Sequence, residues 1–189
     1  MRIVIIEFIS LDGVVQAPGG ADEDRDGGFA HGGWSHPFFD ETVGGGFNDA
    51  LTKADALLFG RRTWQTMAAA WPERAGDPFA DRMNSIPKHV VSTTLETADW
   101  NNTTILDADP FARIREIKAS QNVLTWGSAQ LVQGMLAEGL VDELVLLYSP
   151  IVLGAGKRLF AEGARHDLRV VESTPLEGGM LALRLAAAR

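Results

Sequence analysis

The chain has 189 residues, 46 % apolar and 22 % charged, with a formal net charge of −8. That length and mix suit one globular domain with a core of its own, and the acidic balance argues against a general nucleic-acid binder while leaving room for a local basic pocket. There is no cysteine, so disulfides, thiolate zinc sites and cysteine nucleophiles are excluded.

Residues 3–9 (Ile-Val-Ile-Ile-Glu-Phe-Ile) predict a central strand, its apolar run broken by Glu7. The N-terminus lacks the long apolar region of a signal peptide, and no stretch reaches the length of a membrane span. A cytoplasmic protein with no membrane partner is expected. Asp12 and Gly13 are turn residues at the end of the first strand, a place where open α/β sheets bind ligands. Residues 16–46 form a long loop rich in glycine and acid. Its aromatic residues Phe29, Trp34, Phe38 and Phe39 distinguish it from a disordered linker, and a partly ordered lid over a pocket is expected. His31, His36, Asp40 and Glu41 match no metal-ligand spacing, so no metal is assigned.

A helix is predicted over 47–53. The run Ala56-Leu57-Leu58-Phe59 then reads as a strand buried on both faces. Gly60 would turn the chain or admit a ligand closely, and Arg61 and Arg62 open a helix over 62–70. Cations are disfavoured at a helix N-terminus unless an anion is present, so this turn predicts a phosphate site. A short helix over 79–85, a strand over 89–92 and a strand over 103–106 follow. Ser92 and Thr93 offer hydroxyls at a strand end. Asp109-Pro110 caps a helix over 111–119. A second strand–turn–helix unit runs through Trp126, Gly127, Ser128, Ala129 and Gln130. Ser128 is placed to cap this helix, Gly139 closes it, and Gly127 with Ser128 would cradle a pyrophosphate. Residues 144–148 predict a strand, and residues 168–173 and 180–185 a terminal antiparallel hairpin. The order predicts one α/β domain over 1–189, a mixed sheet with helices on both faces.

Several of these segments come in a family's order: Ser10-Leu11-Asp12-Gly13, Gly60-Arg61-Arg62-Thr63-Trp64, Pro87 to Ser92, Trp126-Gly127-Ser128, Gly139 to Leu144, and Ile151 to Phe160. The chain resembles the stand-alone relatives of the reductase domain of the bifunctional riboflavin-biosynthesis deaminase-reductase, within the dihydrofolate reductase superfamily. The resemblance implies a dihydrofolate-reductase-like fold: a mixed, mostly parallel sheet with flanking helices and a C-terminal antiparallel hairpin. It implies NADPH as cofactor and a homodimer. By the same likeness, Gly60, Arg61, Arg62 and Thr63 face the 2′-phosphate side, Ser92 and Thr93 the adenosine, and Gly127 and Ser128, with Ala129 and Gln130 behind, the pyrophosphate. The chain lacks the deaminase half, and the long loop matches neither relative's substrate region.

The expected function is NADPH-dependent reduction of a small pterin- or ribosylaminopyrimidine-like heterocycle. The alternative is a non-catalytic nucleotide-, flavin- or pterin-binding module on the same fold. Asp12 is the candidate proton relay or substrate contact, beside Gly13. Trp34, Phe39 and Asp40 are expected to line the substrate side.

Overall fold

The run Ile3–Ser10 (IVIIEFIS) is rich in β-branched residues and nearly all buried, which suits a strand covered on both faces. It forms β1 at the heart of the computed structural model, which describes residues 1–74 and 76–188. In chain order the elements are β1, α1 (Glu41–Lys53), β2 (Ala56–Gly60), α2 (Arg61–Ala70), α3 (Pro78–Ser85), β3 (Lys88–Val91) and β4 (Thr103–Leu106). There follow α4 (Pro110–Ser120), β5 (Val123–Thr125), α5 (Ala129–Ala137), β6 (Glu143–Ser149), β7 (Leu168–Pro175) and β8 (Leu181–Ala187). The strands make one eight-stranded sheet in the order β4-β3-β2-β5-β1-β6-β8-β7. The first six are parallel, and β8 and β7 add an antiparallel edge.

Side-chain alternation sends β1 residues to both faces. Ile3, Ile5 and Ile9 pack with Ile114 of α4 and Leu131, Val132 and Met135 of α5. On the other face Ile6, Leu57, Phe59 and Val90 pack with Val43 and Leu51 of α1, Trp64 of α2 and Met83 of α3. Each fully buried side chain of this size contributes about 1.5–3 kcal/mol of transfer free energy. The expected mixed sheet with helices on both faces and a terminal hairpin is the observed architecture. Among the described residues no helix is long and apolar enough to cross a membrane.

The structure corrects three local readings. The first helix begins at Glu41, not at 47, so Gly44, Gly45 and Gly46 are helical. Glycine costs about 1 kcal/mol in a helix interior, but the Asp40 carboxylate caps the first turn through the Val43 amide at 2.9 Å, and Val43 is buried. Gly60 does not turn the chain: it is extended, with φ −76° and ψ 159°. Its missing Cβ matters instead, because a methyl group there would collide with the Ser128 side chain. Ser128 occupies the N-cap position of α5 without capping it, at a left-handed φ of 74°.

The loop before α1 is ordered around its own small core. Val14, Ala17, Phe29 and Trp34 bury one another, and the Trp34 indole donates to the Gln16 carbonyl at 2.7 Å.

Candidate active site

Parallel strands β2 and β5 lie side by side, Leu57 opposite Leu124, and each feeds a helix at its carboxyl end. The two turns interlock. Ser128 fills the space over Gly60, and Thr63 of α2 lies where a Cβ on Gly127 would be, at 2.9 Å. Gly127 adopts φ +80°, a conformation open to glycine. A cavity of about 510 Å³ opens beside these turns. The pairing of β5 with β1 ends at Thr125 opposite Ile5. Ile6, Glu7 and Phe8 of β1 therefore run on past the end of β5, and they line the cavity. This is the crevice at the carboxyl ends of parallel strands where α/β sheets bind ligands.

One wall is aromatic, formed by Phe8, Phe39, Phe47 and Trp126. Phe8 stacks on Phe47 with centroids 5.5 Å apart, and Trp126 meets Phe47 edge-on at 5.7 Å. Such a wall suits a flat ring.

Another part of the lining comes from helix ends. Asp40, Asp77 and Asp109 cap α1, α3 and α4 with their side chains. Among the described residues no side chain caps α2 or α5, and their first turns, at Arg62, Thr63, Ser128 and Ala129, border the cavity. Uncapped helix N-termini present free N–H groups and a positive dipole end to an anion.

Four charges meet at the mouth. Arg62 pairs with Asp24 at 3.2 Å and Asp26 at 2.5 Å, and the Lys157 ammonium reaches the same carboxylates at 2.6 and 3.1 Å. The Arg62 guanidinium, with Lys157, holds Asp26 down to about 2. Burial pushes Asp24 up, but Lys157 and Arg62 outweigh it and keep its carboxyl below the usual range.

Glu7 is 3 % exposed. One of its oxygens accepts the Gly127 amide at 2.8 Å. Burial pushes its carboxyl up to about 8; the Gly127 N–H pulls the other way, and the nearby Glu23 adds to the rise.

Of the residues expected at the site, Arg62, Thr63, Trp126, Gly127, Ser128, Ala129 and Phe39 line this cavity. Gly60 lies beneath Ser128. Arg61 turns along its own helix to Gln65 at 3.2 Å, and Gln130 is exposed. Ser92 and Thr93 follow β3, one strand beyond β2, where the Ser92 hydroxyl accepts the amides of Thr94 and Leu95. Asp12 is outside the lining. Its carboxylate takes the Ser10 hydroxyl at 2.7 Å and the amides of Leu153 and Gly154 at 3.1 and 2.8 Å, and these bonds, the Ser10 one foremost, hold it near 2. Gly13 supplies the positive φ of the same turn. Trp34 is sealed in the loop core, and Asp40 spends its second oxygen on the Gly178 amide at 2.6 Å.

Sequence reasoning missed Glu7, Phe8, Phe47, Asp24 and Lys157 at this cavity. Glu7 carried a usable signal: a single carboxyl in an otherwise apolar central strand either has a partner or a task. Lys157 follows Gly156 in a turn whose bridge to the segment after β1, Val14 opposite Arg158, has no local signature.

The mixed sheet, with its cleft at the carboxyl ends of the parallel strands and an antiparallel C-terminal edge, is a dihydrofolate-reductase-like fold. The chain belongs to the RibD C-terminal domain family, whose model matches residues 2–182. It is 25 % identical over 190 residues to the uncharacterized protein YyaP of Bacillus subtilis, covering 96 % of this chain and 93 % of that one. A putative riboflavin biosynthesis protein from Shewanella sp. PV-4 has the same fold, with a TM-score of 0.73, 21 % identity and full coverage of both chains. The diaminohydroxyphosphoribosylaminopyrimidine deaminase/5-amino-6-(5-phosphoribosylamino)uracil reductase of Thermotoga maritima matches with a TM-score of 0.62 at 14 % identity, over 99 % of this chain and 56 % of that one.

Proposed function

We propose that this chain is an NADPH-dependent reductase of a small, flat heterocycle, of the pterin or ribosylaminopyrimidine class. The observation that carries the reading is the convergence of two uncapped helix N-termini, α2 and α5, on one cavity with an aromatic wall. The donor set fits a dinucleotide. The first-turn amides of α5 suit a pyrophosphate, and those of α2 with Arg62 suit a further phosphate. Family membership and the reductase named among the structural neighbours support the same class.

NADPH, when bound, supplies a hydride equivalent to a C=N or C=O carbon. The protein's share is to bind, orient and exclude water. Phe8, Phe47 and Trp126 would hold the flat ring against the cavity wall, and Phe39, half exposed at the rim, would cover it. A bound phosphate has to compete with Asp24 and Asp26 for Arg62 and Lys157, so the loop carrying those carboxylates must move or share its cations. A homodimer would use the terminal hairpin, whose edge strand β7 exposes Val170 and Val171.

The test is turnover. The purified protein is mixed with NADPH and either 5-amino-6-(5-phosphoribosylamino)uracil or 7,8-dihydrofolate, and loss of the dihydronicotinamide absorbance is followed. Oxidation that requires the heterocycle supports the reading. Binding of NADPH with no oxidation by either compound would favour a non-catalytic module.

A further inference from the structure

Glu7 does nothing for the fold that needs a carboxyl group. It sits on the central strand with Ile5 and Ile9 on the same face, where an apolar side chain would be the stabilising choice. Burying a carboxyl without a cation is costly, and among the described residues Glu7 makes no ion pair. Its only hydrogen bond is the Gly127 amide on Oε1, which fixes the group at the cavity floor and leaves Oε2 without a protein partner among the described residues.

The other carboxyls of the lining are committed elsewhere. Glu23 holds the Gly19 amide at 2.7 Å, Asp24 is paired with Arg62 and Lys157, and Asp77 caps α3. Asp12, the acid expected from the sequence, is bound to its own turn outside the cavity. Glu7 is therefore the one fully buried carboxyl of the lining, and it has an oxygen free.

We propose that Glu7 is the proton donor of the reduction. This rests on the reductase reading above. As hydride reaches the carbon of the substrate's C=N bond, the π pair moves to nitrogen, and that nitrogen takes the proton on Glu7 Oε2. The C=N bond becomes CH–NH, the dihydronicotinamide is oxidised, and Glu7 is left as a carboxylate. The Gly127 N–H and the N-terminus of α5 stabilise that charge, and solvent returns the proton. Glu23 faces the group from the loop and disfavours its ionisation, while Arg62 and Lys157 are held by Asp24 and Asp26. The donor form is thus the resting form at neutral pH.

Three measurements on the intact chain test this. Carboxyl ¹³C NMR of the wild type across pH 5–10 should give Glu7 a single midpoint near 8; ionisation complete by pH 6 overturns the proposal. Calorimetry should show Glu7→Gln binding NADPH within a factor of about three of wild type, because glutamine keeps the acceptor for Gly127. With the two heterocycles named above, Glu7→Gln should lose about 100-fold or more in kcat, with KM for NADPH little changed and the high-pH limb of the wild-type profile gone. Equal kcat in wild type and Glu7→Gln overturns the proposal and leaves the reductase intact. Wild type that binds no NADPH, or oxidises it with neither compound, removes the reductase reading and the proton donor with it. A midpoint near 8 would then report burial alone.

Discussion

At Glu7 burial disfavours the charged carboxylate and pushes the carboxyl up from the ordinary 4.5 to about 8. Between those values the folded chain keeps a proton that the unfolded chain has lost. Stability therefore falls as pH rises through that window, and the full penalty is present above about 8. Urea melts should show wild type losing ground to Glu7→Gln steadily from pH 5 to pH 9; parallel curves would contradict the assigned burial. A second residue-scale prediction concerns the interlocked turns. Gly60→Ala should cost about 1–3 kcal/mol by denaturant titration, since its methyl group collides with Ser128. Adding Ser128→Gly should return most of that loss, because it removes both the collision and a side chain from a left-handed φ. The sequence marked both glycines, for a chain turn or for close approach of a ligand. That the Gly60 vacancy is filled by Ser128 follows from the pairing of β2 with β5, a contact between residues far apart in the chain.

Among the described residues, α2 and α5 differ from the other α-helices in lacking a side-chain cap, and both open on the same cavity. Replacing Arg61 and Arg62 by alanine should weaken NADPH far more than NADH, because only NADPH carries the 2′-phosphate; equal losses would contradict that role. The loop before α1 offers the converse test. Asp24→Asn with Asp26→Asn frees Arg62 and Lys157, and calorimetry should show NADPH affinity rising about two- to fivefold, the range expected of exposed ion pairs. Unchanged or weaker binding would mean that the four charges hold the loop in a shape the ligand needs. Asp40 ties the end of this loop to the rest, capping α1 and accepting the Gly178 amide of the hairpin turn. Asp40→Ala should lower the midpoint of a thermal melt, and an unchanged midpoint would contradict the capping role. Strands and most helices were legible here to within a few residues, because their periodicity and caps are local. The start of α1 was not, since three glycines argue against a helix and only the cap and the burial of Val43 overrule them.

For the whole molecule, the mixed architecture was readable from the order of elements, and the family likeness added the fold. The strand order was not readable from periodicity alone. It puts β5 between β2 and β1, and so makes one cleft from two turns 67 residues apart, at Gly60 and Gly127. It also decides which acidic residues meet that cleft: Glu7 and Asp24 do, Asp12 and Asp40 do not. The central claim is that this cleft holds a phosphorylated dinucleotide on two uncapped helix ends. Calorimetric titration of the pure protein with NADPH and with NADH tests it most directly. Tight binding of NADPH with much weaker binding of NADH is the predicted result. No heat with either would contradict the account and return Arg61 and Arg62 to surface charge.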